Sequence, residues 1–166
     1  LGLQVRRAFR AQKKDSVLVS ADYSQIELRV LCHYLSSQSQ LVQAINKDID
    51  IHTLTASKIF SLPKEKISTK MREQAKTINF GVIYGMGANK LSNQLAISLQ
   101  EARDFIDAYF SSYPEVKILT QSLKDKAAKL GYTETIFSRR RYINASTNEK
   151  RRYNFIDNIA INSPIQ

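Results

Sequence analysis

Cysteine, long apolar runs and acidic charge are all scarce in this sequence of 166 residues. The single cysteine, Cys32, excludes an internal disulfide framework and a cysteine-based zinc site, and its apolar helical surroundings predict that it lies in the core. A transmembrane helix needs about 18 or more consecutive apolar residues, and no run approaches that length. No charged and then apolar leader opens the chain. We therefore expect a cytoplasmic protein that does not enter a membrane.

Neither an internal repeat nor a low-complexity linker divides the chain, so composition alone gives no domain boundary. A chain of this length is long enough for one domain with a core, or for a piece of a larger one. It starts at Leu1 without a methionine and stops at Gln166, within what looks like a functional motif. We therefore expect a segment of a longer protein.

The deficit of acidic residues leaves a net charge of +10, most of it near the C-terminus. Between Lys117 and Arg152 there are ten basic and three acidic residues, which accounts for seven of those ten charges. Clustered lysine and arginine bind polyanions because each neutralised phosphate releases condensed counterions. The cluster indicates a nucleic-acid contact, with a solubilising surface as the alternative.

The hydrophobic pattern predicts a helix-rich α+β fold. Residues 16–22 alternate and are rich in valine, which predicts a strand that ends at Asp22, and Ser24 is a candidate cap for the helix that follows. Asp50 is a candidate cap for a later helix, and Gly131 should end a long one. We expect helices at residues 25–35, 38–45, 52–60, 68–84, 90–96, 99–111, 114–130 and 149–161, and two further strands at residues 132–137 and 141–144.

Asp22 is the first candidate for chemistry, because a carboxylate at the end of a strand faces the crevice at the sheet edge. The plainer alternative is a turn residue. Glu27 either faces the same crevice or balances a helix dipole, and His52 is either a functional residue or a buried structural histidine. One or two carboxylates complete a Mg²⁺ site when substrate phosphates supply the other oxygens. A two-metal site needs a second acidic side chain beside Asp22, and the sequence shows no obvious one.

A stripe of four residues gives the most informative pattern. Arg72, Lys76, Phe80 and Tyr84 recur every four residues within one predicted helix, so they form a slowly winding face that is cationic at one end and aromatic at the other. This order suits a ligand with phosphates at one end and a flat base at the other, and a helix with mixed faces is the alternative. The P-loop pattern GxxxxGK[ST] is absent, so any phosphate site is of another type.

Five segments together resemble the family A DNA-dependent DNA polymerases, the bacterial DNA polymerase I family, in that family's order and spacing. The segments are Asp22–Arg29, Asp50–Thr53, Arg72–Gly85, Arg139–Tyr142 and Asn162–Gln166. The resemblance implies part of one polymerase domain with a right-hand fold, in which palm sheet strands adjoin a helical fingers subdomain. It places a palm segment with the first catalytic motif at residues 1–35, mostly fingers helices at 36–130, and a return toward the palm at 131–166. The family's second catalytic motif, a His-Asp-Glu hairpin, would follow Gln166.

The resemblance also implies roles for individual residues. Asp22 would bind metal and act in catalysis, with the backbone carbonyl of Tyr23 as a further metal ligand, and Lys76 would act in catalysis as well. Glu27 would exclude a 2′-hydroxyl and bond to Tyr84. The residues that would hold the incoming deoxynucleoside triphosphate are Glu27, His52, Arg72, Lys76, Phe80 and Tyr84. Those that would contact primer-template DNA are Thr77, Arg139, Arg140, Arg141, Asn162 and Gln166. Two positions depart from the family: Asn158 stands where an arginine is common, and Ser138 where a glycine is usual.

The implied activity is template-directed DNA synthesis with two Mg²⁺ ions, in which the primer 3′-hydroxyl attacks the α-phosphorus and pyrophosphate leaves. The implied partners are primer-template DNA and deoxynucleoside triphosphates, and the parent would be a monomer associated with the bacterial nucleoid in the cytoplasm. The 166 residues alone should be inactive. A non-catalytic nucleic-acid-binding module is the alternative. A single-subunit RNA polymerase is a third possibility, against which Glu27 argues because such an enzyme must accept a 2′-hydroxyl.

Overall fold

The computed structural model describes residues 2–143 and 149–166, and it is a helix-rich α+β structure. Its helices are α1 (Gly2–Ala8), α2 (Ile26–His33), α3 (Gln40–Asn46), α4 (Ile51–Ile59), α5 (Thr69–Ile83), α6 (Ala88–Leu95), α7 (Leu99–Ser112), α8 (Pro114–Leu130) and α9 (Glu149–Ile165), with a 3₁₀ turn at Lys64–Lys66. The strands β1 (Tyr132–Glu134) and β2 (Arg140–Tyr142) pair antiparallel, with Thr133 opposite Arg141. No helix in the described ranges is long and apolar enough to cross a membrane.

Short polar side chains fix where several helices begin. The side chains of Ser39, Asp50 and Ser68 accept hydrogen bonds from backbone N–H groups in the first turns of α3, α4 and α5. Ser98 and Glu101 form a reciprocal capping box at the start of α7. The predicted cap Asp50 is therefore confirmed.

Ser24 is not the cap of α2, contrary to the prediction. Gln25 occupies the cap position, with a left-handed backbone (φ 53°) and no side-chain hydrogen bond to the helix. The predicted end of α8 is confirmed, since Gly131 follows it at φ 71°, where glycine meets no steric penalty.

The core forms around α5, which packs against α4, α6 and α7. Its residues Ile78 and Ile83 are fully buried beside Ile51 of α4 and Tyr109 of α7. A second group consists of α8, α9 and β1, which pack on one another, and α2 contacts both α9 and α3. Helix α3 also contacts α4, and the buried leucines of α2 belong to the same core as Ile51 and Ile78. The residues at the starts of α2 and α4 therefore lie next to one face of α5.

The strand predicted at residues 16–22 is not formed. This segment has no regular secondary structure, and Val17 and Val19 are 81% and 85% exposed, as is most of Leu18. A strand is stable only when its backbone groups pair with a neighbouring strand, and the sheet in the described residues consists of β1 and β2 alone. An alternating pattern leads to a strand only where such a partner exists, so the prediction for residues 16–22 is wrong in this structure.

Other boundaries differ from the predicted ones by a few residues, and helix α1 was not predicted. The β1–β2 strands are shorter than expected, because a turn at Ile136–Phe137 separates them and Ser138 takes a left-handed backbone (φ 60°). A glycine at this position would adopt that conformation at less cost. The predicted end of the second strand, Asn144, lies outside the described residues.

Candidate functional site

A cleft of about 460 Å³ lies between the start of α2, the start of α4 and one face of α5. Residues that the sequence singled out make up most of its lining: Asp22, Tyr23, Glu27, His52, Arg72, Lys76 and Phe80. The first three come from the segment before α2 and from its first turn, so the cleft joins a carboxylate side to a cationic and aromatic side. The packing of α4 on α5, and of α3 on both α2 and α4, brings together segments that are up to 58 residues apart in the chain.

Helix α5 supplies the cationic and aromatic side. Arg72, Lys76 and Phe80 line the cleft at four-residue spacing, while Ile78 and Val82 on the same helix are buried in the core. The predicted stripe is therefore one face of a single helix. Its order along the helix is guanidinium, ammonium and then aromatic ring.

Tyr84, the last residue of the stripe, closes the aromatic end. Its ring lies 20° from parallel to that of Phe80, with centroids 6.4 Å apart. Burial and the adjacent Glu27 carboxylate together raise the pKa of Tyr84 to about 12, although Gln166 acts in the opposite direction. The Tyr84 hydroxyl therefore keeps its proton at neutral pH and faces Glu27 as a donor. Glu27 of α2, Tyr84 at the end of α5 and Gln166 thus lie close together.

Arg72 is bound to a carboxylate that the sequence identified only as a helix cap. Its Nε lies 2.6 Å from Asp50 Oδ2 and its Nη2 lies 3.3 Å from Asp50 Oδ1, so the pair is bidentate. Asp50 also accepts hydrogen bonds from the His52 N–H and the Thr53 hydroxyl. Burial alone would raise the pKa of Asp50, but the hydrogen bonds from Arg72 and Thr53 and the Arg72 charge lower it to about 2. Asp50 thus fixes both the start of α4 and the orientation of the Arg72 fork.

Replacing Asp50 with asparagine should destabilise the protein at pH 7 and have little effect near pH 2. Asparagine retains the helix cap, so the change removes mainly the charge. Because the folded pKa is about 2 and the ordinary value is 3.8, the stabilisation is complete above about pH 4 and is lost as the pH falls toward 2. The side chains of Arg72 and Asp50 are both more than a third exposed, at 39% and 38%. Solvent screening therefore limits the loss in the free energy of unfolding to about 1 kcal/mol.

Urea unfolding of the unchanged protein and of Asp50→Asn, at several pH values between 2.5 and 7, measures the difference in their free energies of unfolding. Asp107→Asn, at an exposed carboxylate on α7, is the matched control and should show little difference at any pH. A difference for Asp50→Asn that stays constant over the whole range would contradict the ion pair as its source.

His52 lies at the back of the cleft and is only 4% exposed. Its ring centroid is 5.8 Å from that of Phe80, and Asn79 Nδ2 lies 3.0 Å from its Nδ1. Burial lowers the pKa of His52, and Arg72 and Lys76 lower it further, although Asp50 raises it. The ring is therefore uncharged at neutral pH, and any contact with an anion depends on N–H donation.

Asp22 and Tyr23 are exposed at the edge of the cleft. Within residues 2–143 and 149–166, Asp22 forms no ion pair, and no group of three or more His, Cys, Asp and Glu side chains could hold a metal ion. Oxygen donors such as the Asp22 carboxylate and the Tyr23 carbonyl suit a hard cation such as Mg²⁺. They fit part of a coordination shell, whose other oxygens must come from substrate, water or further protein residues.

The predicted DNA-contact residues do not gather in this cleft. The Thr77 hydroxyl donates to the Glu73 carbonyl oxygen of its own helix at 3.1 Å. Arg140 pairs with Glu134 (Nε to Oε2, 3.1 Å) and lies over the Tyr132 ring. Neither Thr77 nor Arg140 lines the cleft, and Arg140 lies on the β1–β2 hairpin.

The remaining candidates lie around α9. Arg141 Nη1 donates to Ser163 Oγ at 3.1 Å, and exposed Arg139 lines a second hollow of about 380 Å³ together with Gln166. The amide oxygen of Asn162 is buried and has no hydrogen-bond partner among the described residues. The basic residues of the C-terminal cluster therefore occupy a different surface from the cleft, while Lys150 to Arg152 lie where side chains are not described.

Three polar residues next to the cleft were not predicted to matter there. The sequence pattern identifies Asp50 only as a helix cap, and it indicates no role for Thr55 or Asn79. Thr55 and Asn79 are fully buried and hydrogen-bonded to each other behind His52. A polar residue at an apolar position of a helical pattern was the available signal for both.

Comparisons with known proteins agree on one family. A family model described as DNA polymerase family A matches residues 1–166. The thermostable DNA polymerase I of Thermus aquaticus is 45% identical over 167 residues, which cover 100% of this chain and 20% of that protein. DNA polymerase I of Bacillus subtilis (strain 168) is 42% identical over 168 residues, which cover 99% of this chain and 19% of that protein. The chain thus spans about a fifth of the length of the curated relatives it matches.

A solved structure shows the same likeness in three dimensions. It is the POL domain of Pol1 from M. smegmatis in complex with DNA primer-template and dNTP. The superposition has a TM-score of 0.78 at 35% sequence identity and covers 87% of this chain and 25% of that chain.

Proposed function

Because the chain belongs to the family A DNA polymerases, we propose that it forms the nucleotide-binding part of a polymerase that extends a primer along a DNA template. The observation that carries this proposal is the cleft in which Asp22 and Glu27 face Arg72, Lys76 and Phe80. Carboxylates on one side and cations with an aromatic ring on the other match the parts of a deoxynucleoside triphosphate. The longer protein would supply the rest of the polymerase domain, including the second catalytic aspartate.

Each side of the cleft would perform a separate task. Lys76 and Arg72 would neutralise the triphosphate and the leaving pyrophosphate, Phe80 would stack on the base or sugar, and Glu27 would lie against the sugar. Asp22 and the Tyr23 carbonyl would hold a divalent cation, for which Mg²⁺ is the proposed identity. When bound, such an ion neutralises phosphate charge and promotes attack by the primer hydroxyl.

The division of the chain is part of the same proposal. Residues 1–35 would belong to the palm, 36–130 mostly to the fingers, and 131–166 to the return toward the palm. The exposed apolar segment at Val17–Val19 supports this division, since a palm sheet would cover it. Primer-template DNA would lie against α9 and the β1–β2 hairpin, where Arg139, Arg141 and Gln166 are found. A monomeric parent, located in the cytoplasm at the nucleoid, remains a prediction.

Lys76 offers the sharpest test, because within the described residues it forms no ion pair whereas Arg72 is bound to Asp50. In the longer protein, Lys76→Ala should weaken nucleotide affinity in primer extension by about 10- to 100-fold, the value of one or two charged hydrogen bonds. Affinity for the primer-template duplex should change little. Nucleotide-concentration dependence of single-turnover extension measures the first quantity, and fluorescence anisotropy of labelled duplex measures the second.

Lys90→Ala, which removes an exposed charge on α6 away from the cleft, is the control and should leave both quantities unchanged. A non-catalytic nucleic-acid-binding module predicts the reverse pattern: duplex binding without any extension, and no effect of Lys76 on nucleotide affinity. That result would reject the proposed function.

A further inference from the structure

A row of buried polar side chains runs behind the cleft and links three helices. Tyr113 at the end of α7, Thr55 on α4 and Asn79 on α5 are all fully buried. The Tyr113 hydroxyl lies 3.2 Å from Thr55 Oγ1, and Thr55 Oγ1 donates to Asn79 Oδ1 at 3.1 Å. Asn79 Nδ2 lies 3.0 Å from His52 Nδ1. The row therefore ends on one ring nitrogen of a residue that lines the cleft.

The hydrogen bonds in this row have a direction, which Tyr113 sets. Among the described residues the Tyr113 hydroxyl contacts only Thr55, and a buried hydroxyl proton without an acceptor costs about 1–3 kcal/mol. Tyr113 therefore donates to Thr55, and the Thr55 proton goes to Asn79 Oδ1. The Asn79 amide then presents its NH₂ group to His52, so Nδ1 must accept and cannot carry a proton.

We propose that Tyr113, Thr55 and Asn79 hold His52 in the tautomer that carries its proton on Nε2. An uncharged imidazole donates only from the nitrogen that bears the proton. The row thus makes His52 a hydrogen-bond donor toward a phosphate oxygen in the cleft, a consequence that rests on the proposed function. Thr55, Asn79 and Tyr113 are positioning residues, since they act on the ligand only through His52.

The tautomer is measured directly by ¹⁵N NMR of the histidine ring nitrogens in the purified protein at pH 7.5. The chain has two histidines, and His33, which is exposed on α2, serves as the internal reference. We expect a pyridine-like shift for His52 Nδ1 and a pyrrole-like shift for Nε2. A protonated Nδ1, or the same tautomer mixture as His33, would overturn the proposal.

Two substitutions test whether the row determines the tautomer. Thr55→Val keeps the volume but removes the hydroxyl that orients the Asn79 amide, so the amide can turn over and offer Oδ1 to His52. Asn79→Asp places an acceptor at Nδ1 permanently. In both variants the Nδ1 signal should shift toward the protonated form, and more strongly in Asn79→Asp.

Thr120→Val is the matched control, because Thr120 is also buried but, among the described residues, its hydroxyl bonds only to the carbonyl of Lys117. It should leave the His52 signals unchanged. If Asn79→Asp fails to fold because of its buried charge, Thr55→Val and the unmodified protein still decide the matter. A His52 ring that keeps Nδ1 unprotonated in Thr55→Val would overturn the role of the row.

Titration with inorganic tripolyphosphate separates this proposal from the proposed function. We expect the His52 Nε2 signal to move on binding while Nδ1 does not change its protonation. If Nε2 does not move although the tautomer is as expected, the phosphate-binding role of the cleft is contradicted and the control of His52 by the row is supported.

Discussion

Asp22→Asn should abolish nucleotide addition in the longer protein while duplex binding stays nearly intact. Asp22 is exposed at the edge of the cleft and lies opposite Arg72 and Lys76. Asparagine has the same size but lacks the negative charge that would hold a divalent cation against the triphosphate. Loss of one preorganised group that stabilises developing charge costs roughly 10²–10³ in rate, and we expect at least the upper end of that range here.

The measurement is single-turnover primer extension with saturating nucleotide, paired with fluorescence anisotropy of the labelled duplex. Asp107→Asn makes the same change at an exposed position on α7 outside the cleft and should have no effect. Extension by Asp22→Asn at a rate near that of the unchanged protein would refute the metal role. Equal loss of extension and duplex binding would instead indicate that Asp22 supports the fold or the DNA contact.

The sequence predicted the cleft better than it predicted the sheet, for a physical reason. Arg72, Lys76 and Phe80 lie on one helix, and the spacing of residues on a helix depends only on local geometry. Residues 16–22 also carry a clear local pattern, but a strand forms only with a partner, and its pattern does not say where that partner is.

Contacts between side chains on different helices could not be predicted from the sequence either. The Asp50–Arg72 pair joins α4 to α5 across 22 residues of sequence, and the row from Tyr113 to His52 joins three helices. Each depends on how the helices pack, which no periodicity encodes. Asp50 shows the limit well, because its local role as a cap was predicted correctly while its contact with Arg72 was not.

Glu27→Ala should reduce the discrimination against ribonucleotides by roughly 10², the factor by which a site typically rejects one added hydroxyl. Glu27 lines the cleft next to Asp22 and faces the protonated hydroxyl of Tyr84. In the proposed function this contact would hold the carboxylate against the sugar, and truncation to alanine would leave room for a 2′-hydroxyl. The ratio of the kcat/KM values for deoxy- and ribonucleotides in primer extension measures the effect.

Tyr84→Phe distinguishes a fixed carboxylate from a merely bulky one. It removes only the hydroxyl that faces Glu27, so the Glu27 side chain can change its orientation although its size is unchanged. If the Tyr84 contact holds Glu27 in place, this variant should lose part of the sugar discrimination. Glu65→Ala, at an exposed carboxylate outside the cleft, is the control and should lose none.

Unchanged discrimination in Glu27→Ala would remove Glu27 from the sugar site. Unchanged discrimination in Tyr84→Phe alone would mean that the bulk of Glu27 suffices, without the hydrogen bond.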